Sequence, residues 1–266
     1  MVYHKTTSEI DLCRESSLLV CKTLAELAAH IKPGVKTLHL DKIGHDFIFD
    51  HGAVPGFLNY QGFPYSLCIS VNEAVVHGFP SEYELKEGDI ISIDCGVLMN
   101  EFYGDSAYTY AVGEISPEVE QLMKVTRECL DLGIEQAVVG RRVGDISHAV
   151  QHHAEKVHGY GVVRELVGHG VGKDLHEKPE VPNFGKRGRG SKLKEGLVIA
   201  IEPMINLGKR DVIKNDDGWT IEAKDGKPSA HFEKMVVVKK GEAESLTDFV
   251  MIEEAIEKNM ELSASY

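Results

Sequence analysis

Apolar residues recur at helical spacing through residues 8–32, where Ile10, Cys13, Leu18, Cys21, Leu24 and Ala28 fall roughly on one face. Ser8 and Asp11 stand at the spacing of a capping box, and Pro33-Gly34 ends the run. The pattern predicts an amphipathic helix over 8–32 and a second at about 38–50, stopping at Gly52. Runs rich in β-branched and aromatic residues predict strands at 66–72, 89–99, 102–112, 196–206, 218–223 and 231–239. Helical spacing returns at 117–138, 144–157 and 249–262.

The pattern echoes itself. Helix, Pro33-Gly34, helix, His51-Gly52 is matched by helix, Val139-Gly140, helix, His158-Gly159, at offsets of 106 and 107 residues. Identity between the stretches is thin, so the spacing alone leaves duplication open. Two such halves would share one sheet with helices on one side, and polar groups would gather at the seam. No low-complexity linker divides the chain, which predicts a single domain over residues 1–266.

Composition narrows the class. The chain has 266 residues, 42% hydrophobic and 27% charged, as in soluble globular proteins. No stretch approaches the roughly 18 apolar residues of a membrane span. The first residues hold no apolar signal core, and the five cysteines are scattered, so a reducing cytoplasm is expected. A net charge of −13 disfavours DNA or generic nucleic-acid backbone as partner. The exception is Gly185-Lys-Arg-Gly-Arg-Gly-Ser-Lys-Leu-Lys194, read first as a solvated flexible loop and second as a contact for RNA or an acidic surface.

Against this background Asp94 is out of place, because Ile90-Ile-Ser-Ile93 and Val97-Leu-Met99 surround it with a buried strand. A charged carboxylate there needs a cation or hydrogen bonds. Asp105 follows across a turn at 99–104, and His169, Glu202 and Glu233 sit in similar apolar or glycine-rich settings. Any one of them alone reads as a side chain bonded to nearby backbone. Together, four converging carboxylates without a cation would force one another to protonate. Two divalent ions would balance them, and four oxygen donors with one imidazole suit Mn, Fe, Co or Zn. Such a pair, typically ~3.5–4 Å apart, serves metallohydrolases. His77 and His176 lie beside turn-forming Gly or Pro and would be presented on loops.

In order along the chain come Tyr60-Gln-Gly-Phe-Pro, Cys68-Ile-Ser-Val-Asn, His77-Gly-Phe-Pro, Gly88-Asp-Ile-Ile-Ser-Ile-Asp94, Tyr103-Gly-Asp-Ser, Gly168-His-Gly-Val-Gly172, His176-Glu-Lys-Pro, Ile201-Glu-Pro-Met, Asp217-Gly-Trp-Thr and Phe232-Glu233. With these motifs, over about residues 5–247, the chain resembles the type I methionine aminopeptidases of the creatinase-like pita-bread family, M24. The resemblance implies an α+β fold of two pseudo-symmetric halves sharing a curved antiparallel sheet, helices outside, with 248–266 as a C-terminal extension. It implies that Asp94 chelates one metal, that Asp105 and Glu233 bridge two, and that His169 and Glu202 complete the other. It places His77 and His176 against the substrate backbone, and Tyr60, Phe63, Cys68 and Trp219 around the methionine side chain. Asn72 and Ser229 match positions near a monovalent cation. The implied reaction is removal of the initiator methionine ahead of a small second residue by a metal-activated hydroxide, Glu202 handling its proton.

The sequence departs from the family at Arg14-Glu-Ser-Ser, where Arg-x-Ala-Gly is common, at Leu175 for Phe and at Lys234 for His. The metal set is untouched by these, whereas pocket shape and the surroundings of Glu233 are affected. Nascent N-termini are the expected substrates, the ribosome is a candidate partner through residues 186–194, and a monomer is expected. The competing readings are a Xaa-Pro dipeptidase of the same fold and a non-enzymatic binding protein of that fold.

Overall fold

A computed structural model describes residues 2–263 of the chain. The first half contains α1 (Thr7–His30), α2 (Thr37–Asp50), β1 (Val54–Pro55), β2 (Cys68–Val71), β3 (Ala74–Val76), β4 (Ile90–Met99) and β5 (Phe102–Ala111). The second again begins with two helices, α3 (Pro117–Ile134) and α4 (Val143–Gln151). Its strands are β6 (Gly161–Val162), β7 (Gly168–Gly170), β8 (Glu177–Val181), β9 (Val198–Ile201), β10 (Met204–Asn206), β11 (Val212–Lys214), β12 (Ile221–Ala223), β13 (Ser229–His231), β14 (Lys234–Val237) and β15 (Glu244–Ser245). The helix α5 (Val250–Lys258) follows. All pairs between these strands are antiparallel. One ladder runs β1-β4-β2 with β5 beside β4, and the largest runs β15-β14-β9-β7-β8. The ladders β13-β10-β6 and β11-β12-β3 complete the sheet system, and the second of these joins the halves. Helix α1 packs on β4 and β5, and α3 on β9, β10 and β13. This is the pita-bread arrangement expected from the motifs.

Local chemistry accounts for the elements, with some shifts from expectation. Helix α1 is capped by Thr6 and Glu9, two residues ahead of Ser8 and Asp11. Thr6 takes the Glu9 N–H while Glu9, long enough to reach back, takes the Thr6 N–H at 2.8 Å. Leu18 is exposed, because the buried face steps through Cys13, Ser17, Val20, Leu24 and Leu27. The β4–β5 hairpin turns on Asn100 and Glu101, with φ of 52° and 65°, a two-residue loop that suits strand twist. The predicted strand 196–206 is divided at Glu202-Pro203, where proline has no N–H for a ladder. The predicted strand 231–239 is divided at Phe232-Glu233, since the Glu233 N–H leaves its own ladder and donates to Ala107 O at 2.9 Å. Ser106 Oγ donates in turn to Glu233 O at 2.6 Å, and Thr109 Oγ1 to His231 O at 2.7 Å. These bonds close the seam between the halves.

Residues 249–263 belong to the packed structure. Phe249 is buried, its ring 5.0 Å from Tyr108 and 6.3 Å from Phe232. Asn259 Nδ2 donates to Ala28 O and Ile31 O at 2.7 and 2.8 Å, satisfying carbonyls at the end of α1. The basic stretch 185–194 is exposed yet anchored, with Gly188 N–H donating to Asp145 at 2.9 Å and Arg142 to Gly190 O at 2.8 Å. These bonds replace the free loop that composition suggested.

Candidate metal centre

The β4–β5 register sets Asp94 opposite Ala107 and Asp105 opposite Gly96, so both acids project from one face. His169 is carried by β7, which is threaded closely between β8 and β9. A Cβ on Gly168 would lie 2.4 Å from Ala200 O, and one on Gly170 2.6 Å from Lys178 O, so only glycine fits on either side. Glu202 follows β9 and Glu233 precedes β14, two strands paired through Lys234 and Ile201. All five donors line one cavity of about 190 Å³.

The cavity has two characters. At one end, burial raises the Asp94 pKa to about 7. Asp105, Glu202 and Glu233 are raised well above the carboxylate range, first by burial and then by the charge of neighbouring carboxylates, Asp94 among them in every case. Asp94 Oδ1, Asp105 Oδ1 and Glu233 Oε1 are buried without a hydrogen-bond partner. Burial also lowers the His169 pKa to about 3, so its imidazole is neutral. Its Nδ1 lies 3.0 Å from Gly170 O and donates there, which turns the Nε2 lone pair toward Glu202 Oε1 at 3.4 Å and Asp105 Oδ2 at 3.7 Å. A lone pair facing carboxylate oxygens is repulsive unless a cation or a shared proton lies among them. Donor atoms of Asp105, His169 and Glu233 lie within 4.8 Å of one another. The residues therefore fit a divalent metal by charge, donor type and unmet coordination.

The other end is aromatic and uncharged. Phe63 meets Trp219 and Phe79 edge-on at 5.2 and 5.4 Å, beside buried Cys68 and Leu175. Between the two ends stand His77 and His176. His77 adopts φ 57°, unusual for a side chain with Cβ, and burial holds its pKa at about 4. His176 lies exposed at the mouth, where the Tyr60 hydroxyl sits 2.8 Å from its Nδ1, and partial desolvation lowers its pKa. The structure thus brings Tyr60, Phe63, Cys68, His77, His176 and Trp219 into the cavity with the five donors. Asn72 and Ser229 lie outside it, linked by Ser229 N–H donating to Asn72 O at 2.9 Å.

His231 also lines the cavity, a residue the motifs did not single out. It is buried with Nε2 unpartnered, and burial holds its pKa at about 3. Its place two positions before Glu233 was the available signal, since alternate residues of extended chain share a face. The departures from the family pattern find partners. Ser16 Oγ donates to Phe102 O at 2.8 Å, Leu175 is buried in the cavity wall, and Lys234 Nζ lies 4.4 Å from the Phe249 ring centre.

The model of metallopeptidase family M24 matches residues 11–240. The chain is 51% identical over 247 residues to a methionine aminopeptidase of Clostridium perfringens, covering 93% of this chain and 99% of that one. It is 48% identical to methionine aminopeptidase 1 of Bacillus subtilis, covering 90% and 96%. Among solved structures, methionine aminopeptidase from Rickettsia prowazekii superimposes with a TM-score of 0.91 at 41% identity, covering 93% of this chain and all of that one. A Xaa-Pro dipeptidase from Bacillus anthracis shares the fold at a TM-score of 0.75, with 21% identity and 62% of its length covered. The chain belongs to metallopeptidase family M24, as a divalent-metal hydrolase, and within that family to the methionine aminopeptidases. The dipeptidase and the non-enzymatic reading are accordingly not favoured. Among the described residues no helix is long and apolar enough to cross a membrane.

Proposed function

We propose that this centre removes the initiator methionine from nascent chains whose second residue is small. The observation that carries the reading is the continuity of an uncharged aromatic pocket with a cluster of four carboxylates and one imidazole in a single cavity. Asp94, Asp105, His169, Glu202 and Glu233 would hold two divalent ions from among Co, Mn, Fe and Zn. When bound, such ions supply an activated water and a Lewis acid for the scissile carbonyl.

The protein's own groups do the rest. Tyr60, Phe63, Cys68 and Trp219 enclose the thioether, whose flexibility and polarisable sulfur suit aromatic walls. The free α-amine is held beside Asp94, and this placement selects a chain terminus. The Tyr60 hydroxyl lies 2.8 Å from His176 Nδ1; with Tyr60 as the donor, the neutral ring would carry its proton on Nε2 and donate to the developing oxyanion. His77, held neutral by burial, orients the substrate backbone, and Glu202 accepts the proton of the nucleophile. Asn72 commits its side chain to Asp89 and to the Ile90 N–H, so a monovalent cation near Asn72 and Ser229 would rest on main-chain oxygens. The chain acts as a single domain over 1–266 and as a cytoplasmic monomer, with the anchored basic loop 186–194 facing the ribosome. Neutralising Lys186, Arg187 and Arg189 should abolish cosedimentation with nascent-chain complexes; unchanged cosedimentation would exclude that surface.

The direct test is methionine release from Met-Ala-Ser by metal-stripped protein, with Co, Mn, Fe or Zn restored, beside an Ala-Pro peptide. Metal-dependent cleavage of the first alone is expected. Cleavage of the second alone, or of neither, would overturn the reading.

A further inference from the structure

We propose that Glu128, His153 and His158 form a second metal site, on the helical layer of the second half, for a borderline divalent ion of the zinc type. The site is independent of the carboxylate centre and of the activity proposed for it. Its basis is a local change of helix. After α4 the chain does not stop but makes one π-turn over His152–Val157. In an α-helix, residues five apart point about 140° away from each other. A π-turn bonds i to i+5 and widens the helix, which brings residues five apart toward one face, and such turns are frequent at functional sites. His153 and His158 are five apart, and their rings lie 4.7 Å centre to centre at 68°.

Glu128 reaches across from α3 and places Oε2 2.7 Å from His153 Nε2. One donor atom from each of the three residues lies within 4.8 Å of the other two. All three are half-buried, held by their neighbours yet open to solvent. The Tyr160 ring stacks on His158 at 6.2 Å and 18° and steadies its orientation. Two imidazoles and one carboxylate form a zinc-type donor set with a fourth position left for water. Magnesium and calcium, which demand oxygen ligands, are selected against. The adjoining His148 and His152 rings, 5.8 Å apart, gain no third donor among the described residues and lie outside the site.

Zinc chloride is the probe. The full-length protein, His153→Asn/His158→Asn and Glu128→Gln are each dialysed against graded free zinc, and bound zinc is counted by mass spectrometry. Circular dichroism without zinc checks that each variant is folded. The double variant should bind one equivalent less than the parent. Glu128→Gln should weaken that equivalent by about tenfold or more, at least the loss that follows removal of a ligand's supporting partner. In the parent, zinc should shift the imidazole nitrogen resonances of His153 and His158. Equal zinc content in all three proteins would overturn the proposal. So would loss of the equivalent in His148→Ala/His152→Ala with retention in the other variants.

Discussion

Asp94 sets the electrostatic behaviour of the metal-free protein. Its folded pKa is about 7, while an unfolded aspartate titrates near ~3.9. Between those values the unfolded chain has released the proton and the folded chain still holds it. Stability must then fall as pH rises. The Tm of metal-stripped protein should drop between about pH 4 and 7, and added divalent metal should flatten the profile; a flat profile without metal would contradict the burial of the cluster. Asp94→Asn should raise the metal-free Tm at pH 8 and lower metal-dependent peptidase activity by more than about 100-fold, beyond the loss from outer ligand partners. Tyr60→Phe removes one hydrogen bond to His176, about 0.5–1.5 kcal/mol, so kcat should fall by roughly 2- to 13-fold with KM little changed.

At the scale of elements, the contact between α1 and β5 depends on Gly104. A Cβ there would lie 2.5 Å from the Ser16 carbonyl carbon and the Ser17 nitrogen, backbone that cannot move aside alone. Gly104→Ala should destabilise by about 1–3 kcal/mol, the usual range for overpacking. Thermal unfolding would register it as a Tm lowered by about 2–4 °C for each kcal/mol. The two serines explain how this helix tolerates hydroxyls in a buried face, since Ser16 donates to Phe102 O and Ser17 to the Met235 sulfur. Helical periodicity predicted α1, but not that Leu18 would lie outside its buried face. That choice was made by the sheet it covers.

For the molecule as a whole, the C-terminal segment acts as a clamp. Phe249 fills the space among Tyr108, Phe232, the Arg127 guanidinium at 4.5 Å and Lys234 Nζ at 4.4 Å. Phe249→Ala should cost about 3–5 kcal/mol in urea unfolding, because it leaves a cavity and removes the ring that faces two cations. A cost below about 1 kcal/mol would show the segment to be dispensable. In the sequence this segment was a helix past the family motifs, with nothing to tie it to the core.

Much of the site was legible as chemistry out of place: Asp94 in an apolar strand, His169 between glycines, and Glu202 and Glu233 in apolar runs. Donor type, the β4–β5 hairpin and the helix–strand order follow from side-chain pKa, turn preference and periodicity, which act over a few residues and survive in the sequence alone. Convergence does not. Ser106 and Glu233, 127 positions apart, meet through one hydrogen bond at the seam. His231 enters the cavity by the same route. The His169 lone pair meets the acids because Gly168 and Gly170 let β7 slip between its neighbours. Those placements, and the π-turn that brings His153 against His158, come from long-range packing, which no local period records.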